Sequence, residues 1–97
     1  MTTIKIEMKE RQYSTIYFAT KLVSEVSRYS SEVILKSLSE NKLKQEVDLK
    51  SILGVSALLA NRSETLEIEL RGEVETYEAQ HLEHFINQLL DECNKLN

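Results

Sequence analysis

Hydrophobic and polar residues alternate at the start of the chain. Ile4, Ile6 and Met8 stand against Lys5, Glu7 and Lys9, a period of two that predicts a half-buried strand. A polar loop, Glu10 to Ser14, is expected next. From Thr15 the period lengthens: Ala19, Leu22, Val23, Val26 and Tyr29 recur at spacings of three and four, which gathers them on one face of a helix. Ser14 or Thr15 is placed to cap its free amides. Glu32 to Ser37, around Val33, Ile34 and Leu35, predicts a second strand, and Leu43 to Val47 a weaker third. The intervening Ser37-Leu38-Ser39-Glu40-Asn41-Lys42 has no Asn-Gly or Asp-Gly pair, so a longer, mobile hairpin loop is expected. Asp48-Leu49-Lys50-Ser51 fits a helix start, and Ile52, Leu53, Val55, Ala57, Leu58 and Leu59 after it predict a short helix. Glu64 to Arg71 alternates again, Leu66, Ile68 and Leu70 against Glu67, Glu69 and Arg71, until Gly72 ends it. Val74 to Leu96 carries Leu82, Phe85, Ile86, Leu89, Cys93 and Leu96 at helical spacing and predicts a long amphipathic helix.

The order is therefore strand, helix, strand, strand, helix, strand, helix. Each strand has one apolar side, so the helices should cover one face of an antiparallel sheet and leave the other wet: an α+β open-faced sandwich. No repeat or linker divides residues 1–97, and a chain of 97 residues supports one core. Twelve basic against sixteen acidic residues give a net charge of -4, without the clustered Lys and Arg that a nucleic-acid backbone or an anionic membrane requires. The first eight residues lack the basic and apolar pattern of a secretory leader, and no apolar run approaches the ~18 residues of a bilayer span. The lone Cys93 reads as a small packed hydrophobe and has no intramolecular disulfide partner. A cytoplasmic protein is expected.

At Leu49-Lys50-Ser51-Ile52-Leu53-Gly54-Val55 the chain resembles the regulatory-serine motif of HPr, the histidine-containing phosphocarrier family of the bacterial sugar phosphotransferase system. The resemblance extends through Phe18-Ala19-Thr20-Lys21-Leu22-Val23, Tyr29-Ser30-Ser31-Glu32-Val33 and Glu67-Ile68-Glu69-Leu70-Arg71-Gly72, in order along nearly the whole chain. It implies a four-stranded antiparallel sheet in the order 1-4-2-3 with three helices on one face.

The active-site segment departs from the family. Where the family carries Gly-Ile-His-Ala-Arg-Pro-Ala-Thr, this chain reads Tyr13-Ser14-Thr15-Ile16-Tyr17-Phe18-Ala19-Thr20. Thr15 stands at the acceptor histidine, Tyr17 at the arginine and Phe18 at the proline. Reversible phosphoryl carriage needs a lone pair available near neutral pH and a labile product, and imidazole supplies both. A threonine hydroxyl supplies neither, since its phosphate ester is kinetically stable. Loss of the arginine removes a planar bidentate phosphate donor and leaves helix-terminus amides, with Arg11 and Lys21 as the nearest cations in sequence. No catalytic residue, metal or cofactor is therefore expected. His81 and His84, the only imidazoles, fall on the flank and the wet side of the last helix; with Glu78 and Glu83 they lack a committed third metal ligand.

The resemblance makes Ser51 the candidate phosphorylation site, for a dedicated ATP-dependent serine kinase. A phosphate at a helix start meets free N–H groups and the positive end of the helix dipole. The alternative is that Ser51 only caps the helix. The resemblance also puts Ile16, Tyr17, Ile52 and Leu53 on the face where protein partners dock; against this, Ile16, Tyr17 or Phe18 could turn inward and fill space. The expected function is a regulatory or protein-interaction module of the phosphotransferase system or carbon metabolism. Alternatives are a phosphocarrier with a non-standard acceptor and a purely structural assembly module. A first strand near the sheet edge leaves a strand-swapped dimer open.

Overall fold

The computed structural model describes residues 1–7, 15–60 and 65–95. Its elements run β1 (Thr2–Glu7), α1 (Thr15–Val26), β2 (Glu32–Ser39), β3 (Lys42–Asp48), α2 (Ile52–Ala60), β4 (Thr65–Arg71) and α3 (Glu75–Lys95). Met8, Glu64, Leu96 and the expected loop Glu10 to Ser14, with Arg11, lie outside the described residues, as do the side chains of Thr15 and Cys93.

The four strands form one antiparallel sheet in the order β1-β4-β2-β3, with the three helices on one face. Register explains why the alternating pattern folds this way. Ile4, Ile68, Leu35 and Val47 form one row across the sheet, and Thr2, Leu70 and Val33 another, all on the helix side. Against them pack Phe18, Ala19, Leu22 and Val26 of α1, Val55, Leu58 and Leu59 of α2, and Ala79, Leu82, Ile86 and Leu89 of α3. Phe18 is fully buried, so at this position the inward alternative holds. Tyr29 is buried beyond the end of α1, not on the helix itself.

The opposite face carries a row of alternating charge, Lys5, Glu67, Lys36 and Glu46. Glu69 also lies on this face yet is only 3% exposed, because Lys36 and Arg71 cover it. Lys36 Nζ donates to Glu69 Oε1 at 2.8 Å and Arg71 Nη2 lies 2.6 Å from Oε2. The hydrogen bond from Lys36 is the main cause that holds the Glu69 carboxyl below its usual range, and the same bond raises the Lys36 ammonium.

The loop expected between the second and third strands is a tight two-residue turn. Ser39 pairs with Lys42, and Glu40 and Asn41 both adopt positive φ, 53° and 64°. Two left-handed central residues match the twist of a hairpin, and Asn tolerates that conformation well. Glu40 does not favour it, which is why the segment carries no recognisable turn signal. A register shift between Ser37 and Leu38 accompanies the turn.

Gly72 is required by a close approach. A Cβ there would stand 2.9 Å from Ser31 Oγ and 3.1 Å from Ser31 Cα, where the end of β4 passes the start of β2.

Candidate functional site

Two helix starts carry the sequence-predicted site residues. Thr15 is the first residue of α1, and Ile16 beside it is 71% exposed. Burying Phe18 and Ala19 requires the next turn of α1 to face the core, which turns Ile16 to water. Tyr17 is half-buried, and its hydroxyl donates to Glu92 Oε2 at 3.3 Å, near the far end of α3. Lys21 Nζ lies 5.6 Å from the Tyr17 ring centroid, one turn along α1.

The start of α2 is fixed by its approach segment. Leu49 is fully buried, and its N–H donates to the Val33 carbonyl at 2.9 Å. Asp48 Oδ1 accepts from Lys50 N at 2.9 Å and the Asp48 carbonyl from Ser51 N at 3.0 Å, a turn that aims the chain into the helix. Lys50 Nζ donates to the Tyr29 carbonyl at 2.8 Å. Ser51 Oγ accepts from Gly54 N at 3.4 Å and the Ser51 carbonyl from Val55 N at 3.0 Å, so Ser51 is the N-cap. Ser51 is nevertheless exposed. Gly54 lets this turn lie close over β3, since a Cβ there would sit 3.3 Å from Val47 Cβ. Val55 points inward, while Ile52 is 41% and Leu53 82% exposed. The two helices pack on each other. Together they present three large aliphatic side chains to solvent near their first turns, Ile16 on α1 and Ile52 and Leu53 on α2.

A second cluster, centred on Glu25, was not anticipated from sequence. Glu25 is 6% exposed at the end of α1; its carboxylate accepts from Arg28 and from the Tyr29 hydroxyl, the latter at 2.9 Å. His81 Nε2 of α3 lies 3.0 Å from Glu25 Oε2. Burial, reinforced by the bond to Glu25, raises the Tyr29 phenol well above its ordinary value. Glu78 of α3 accepts from Ser30 N at 2.9 Å and Ser31 N at 3.0 Å. Burial opposes its ionisation, but the hydrogen bonds of the Ser30-Ser31 segment prevail and hold its carboxyl below the usual range. The available signal was position: Glu25 sits on the same stripe as Leu22, Val26 and Tyr29.

His81 stands on the flank of α3, as the periodicity predicts, and is tied to the end of α1 remote from Thr15; His84 is exposed. Among the described residues, no group of three or more His, Cys, Asp or Glu side chains converges as for a metal. No helix among them is long and apolar enough to cross a membrane.

Comparison with known proteins agrees with this architecture. The family model described as the PTS HPr component phosphorylation site matches residues 4–88. HPr-C-His from Thermoanaerobacter tengcongensis is 24% identical and aligns with a TM-score of 0.68 over 90% of this chain and 92% of that one. The Mycoplasma histidine-containing phosphocarrier protein is 19% identical, with a TM-score of 0.71 over 86% and 89% of the two chains. The Bacillus subtilis catabolite repression protein Crh, described as a dimer with a swapping domain, is 23% identical, with a TM-score of 0.56 over 91% and 95%. A search of curated proteins returned no match. With a family match that spans most of its length and a sheet in the order its motifs imply, the chain belongs to the HPr family of phosphotransferase-system phosphocarriers.

Proposed function

We propose that this HPr-family chain does not relay phosphate and acts as a regulatory or protein-interaction module of the phosphotransferase system or carbon metabolism. Thr15 occupies the acceptor position, Tyr17 the arginine position, and neither side chain can carry a labile phosphoryl group at neutral pH. Ser51 is the control point, and Ile16, Tyr17, Ile52 and Leu53 form the docking face.

The observation that carries this reading is the juxtaposition at α2: an exposed N-cap hydroxyl directly followed by two exposed aliphatic residues. A dianionic phosphate on Ser51 meets the open amides of the helix and requires no core rearrangement. It also places charge beside Ile52 and Leu53, which changes what can dock there. The partners are a serine kinase and a regulator that reads the modified surface, in a cytoplasmic setting.

The test is mass spectrometry after incubation with ATP and a bacterial HPr serine kinase, with a known HPr as control. One added phosphoryl group that maps to Ser51 and vanishes in Ser51→Ala is the expected result. An unmodified chain beside a modified control removes the regulatory reading and leaves the assembly module.

A further inference from the structure

We propose that Lys50 is a two-position switch for the Ser51 site: its ammonium holds the Tyr29 carbonyl while Ser51 is unmodified and moves to the phosphate once Ser51 carries one. This deepens the proposed function and rests on its reading of Ser51 as the control point.

Lys50 Nζ donates to the Tyr29 carbonyl at 2.8 Å. That bond ties the approach to α2 to a crowded junction. The Tyr29 hydroxyl donates to Glu25 of α1, and the next two amides, Ser30 and Ser31, donate to Glu78 of α3 at 2.9 and 3.0 Å. Segment 29–31 therefore has carboxylate partners on two helices and an ammonium partner one residue before Ser51. The backbone around Lys50 is held by other bonds, Leu49 N to the Val33 carbonyl, Lys50 N to Asp48 Oδ1 and Ser51 N to the Asp48 carbonyl. The half-buried Lys50 side chain is thus free to leave Tyr29 without undoing the turn.

Physical chemistry gives the move a direction. Tyr29 offers a neutral carbonyl oxygen, whereas phosphoserine offers nearly two negative charges and three strong acceptor oxygens. A hydrogen bond with both partners ionised is the stronger and shorter kind. Adjacent Cα atoms stand about 3.8 Å apart and the lysine stem is flexible, so the ammonium reaches the phosphate by rotation of its own side-chain bonds. Lys50 is the only basic residue between Asp48 and Leu59, which makes it the cation nearest in sequence to the modification. Its departure also withdraws a positive charge that favours the ionised form of Glu78. Modification of Ser51 is in this way registered at the junction of α1 and α3, outside the docking face.

The test uses the full chain with phosphoserine placed at position 51 during synthesis, so no kinase is involved. Parent and Lys50→Met are each prepared with serine and with phosphoserine, and the Tyr29 carbonyl carbon is read by NMR through the Ser30 amide at about pH 7.5, where the phosphate is dianionic. Lys50→Met alone displaces that signal and defines loss of the bond. Phosphoserine is expected to displace it in the same direction and by a comparable amount in the parent, and by clearly less in Lys50→Met. A Tyr29 signal unmoved by Lys50→Met or by phosphoserine overturns the proposal. So does an equal displacement by phosphoserine in both backgrounds, because the phosphate then acts without Lys50. Lys50→Gln supplies a second background, so the outcome does not depend on the folding of one variant. A kinase that leaves Ser51 unmodified removes the control-point reading without altering these signals, and failure here leaves that reading in place.

Discussion

A hydroxyl that caps a helix and also faces water is chemically accessible without disturbance of the core, and Ser51 has both properties. Its contribution to the fold is modest: Ser51→Ala is expected to lower unfolding free energy by about 1 kcal/mol, as for other N-caps, measured by urea titration. A loss above roughly 3 kcal/mol would show that the hydroxyl has a further structural partner. Glu25 is the contrasting case, a buried carboxylate satisfied by Tyr29, Arg28 and His81. Glu25→Ala strands the Tyr29 hydroxyl and is expected to cost about 1–3 kcal/mol in the same titration. Stability equal to the parent would mean that the network is a surface ornament. Ser51 was legible in the sequence because motif and helix-start chemistry coincide there. Glu25 was not, because a charged residue on an apolar stripe gives no sign of the donors that other elements bring to it.

At the scale of elements, the β2–β3 hairpin shows where local chemistry and long-range pairing disagree. Glu40 sits at φ 53° although nothing in its side chain favours a left-handed conformation, and the pairing of β2 with β3 and β4 holds it there. Glu40→Asn is expected to stabilise the domain by roughly 0.5–1 kcal/mol, seen as a higher urea midpoint. No gain would mean that Glu40 is compensated by contacts of its own. Short-range propensity therefore could not announce the tight turn, whereas β1 and β4 were legible from alternation and β2 from the apolar run Val33, Ile34 and Leu35. The amphipathic α3 was legible too, with Leu82, Ile86 and Leu89 inward. The carboxylates that stitch elements together also set the acid limb of stability. Glu69 and Glu78 both lie below their ordinary range when folded, so each binds a proton more weakly in the native than in the unfolded chain. Their contribution is complete above about pH 4.5 and is lost as the pH falls through their folded values. The urea midpoint is expected to drop from about pH 5 to pH 3, and less steeply in Glu78→Gln; an unchanged midpoint across that interval would contradict this assignment.

Over the whole molecule, the pattern of one-sided strands and amphipathic helices was enough to specify the open-faced sandwich, and the sheet order is fixed by the register between Ile4, Ile68, Leu35 and Val47. The site is legible only in part, since exposure at Ile16, Ile52 and Leu53 depends on which residues the core claims first. β1 is an edge strand paired only with β4, the position from which a strand can pass to a second copy. Size-exclusion chromatography with light scattering over a concentration series is expected to show a slowly exchanging dimer fraction if β1 swaps, and a monomer throughout if it does not. The most direct measurement of the central claim is incubation of the chain with Enzyme I and phosphoenolpyruvate that carries the label in its phosphoryl group, with an HPr that has its histidine as control. The account predicts no acid-labile, alkali-stable label on this chain while the control is labelled. Such a label on this chain would contradict the account.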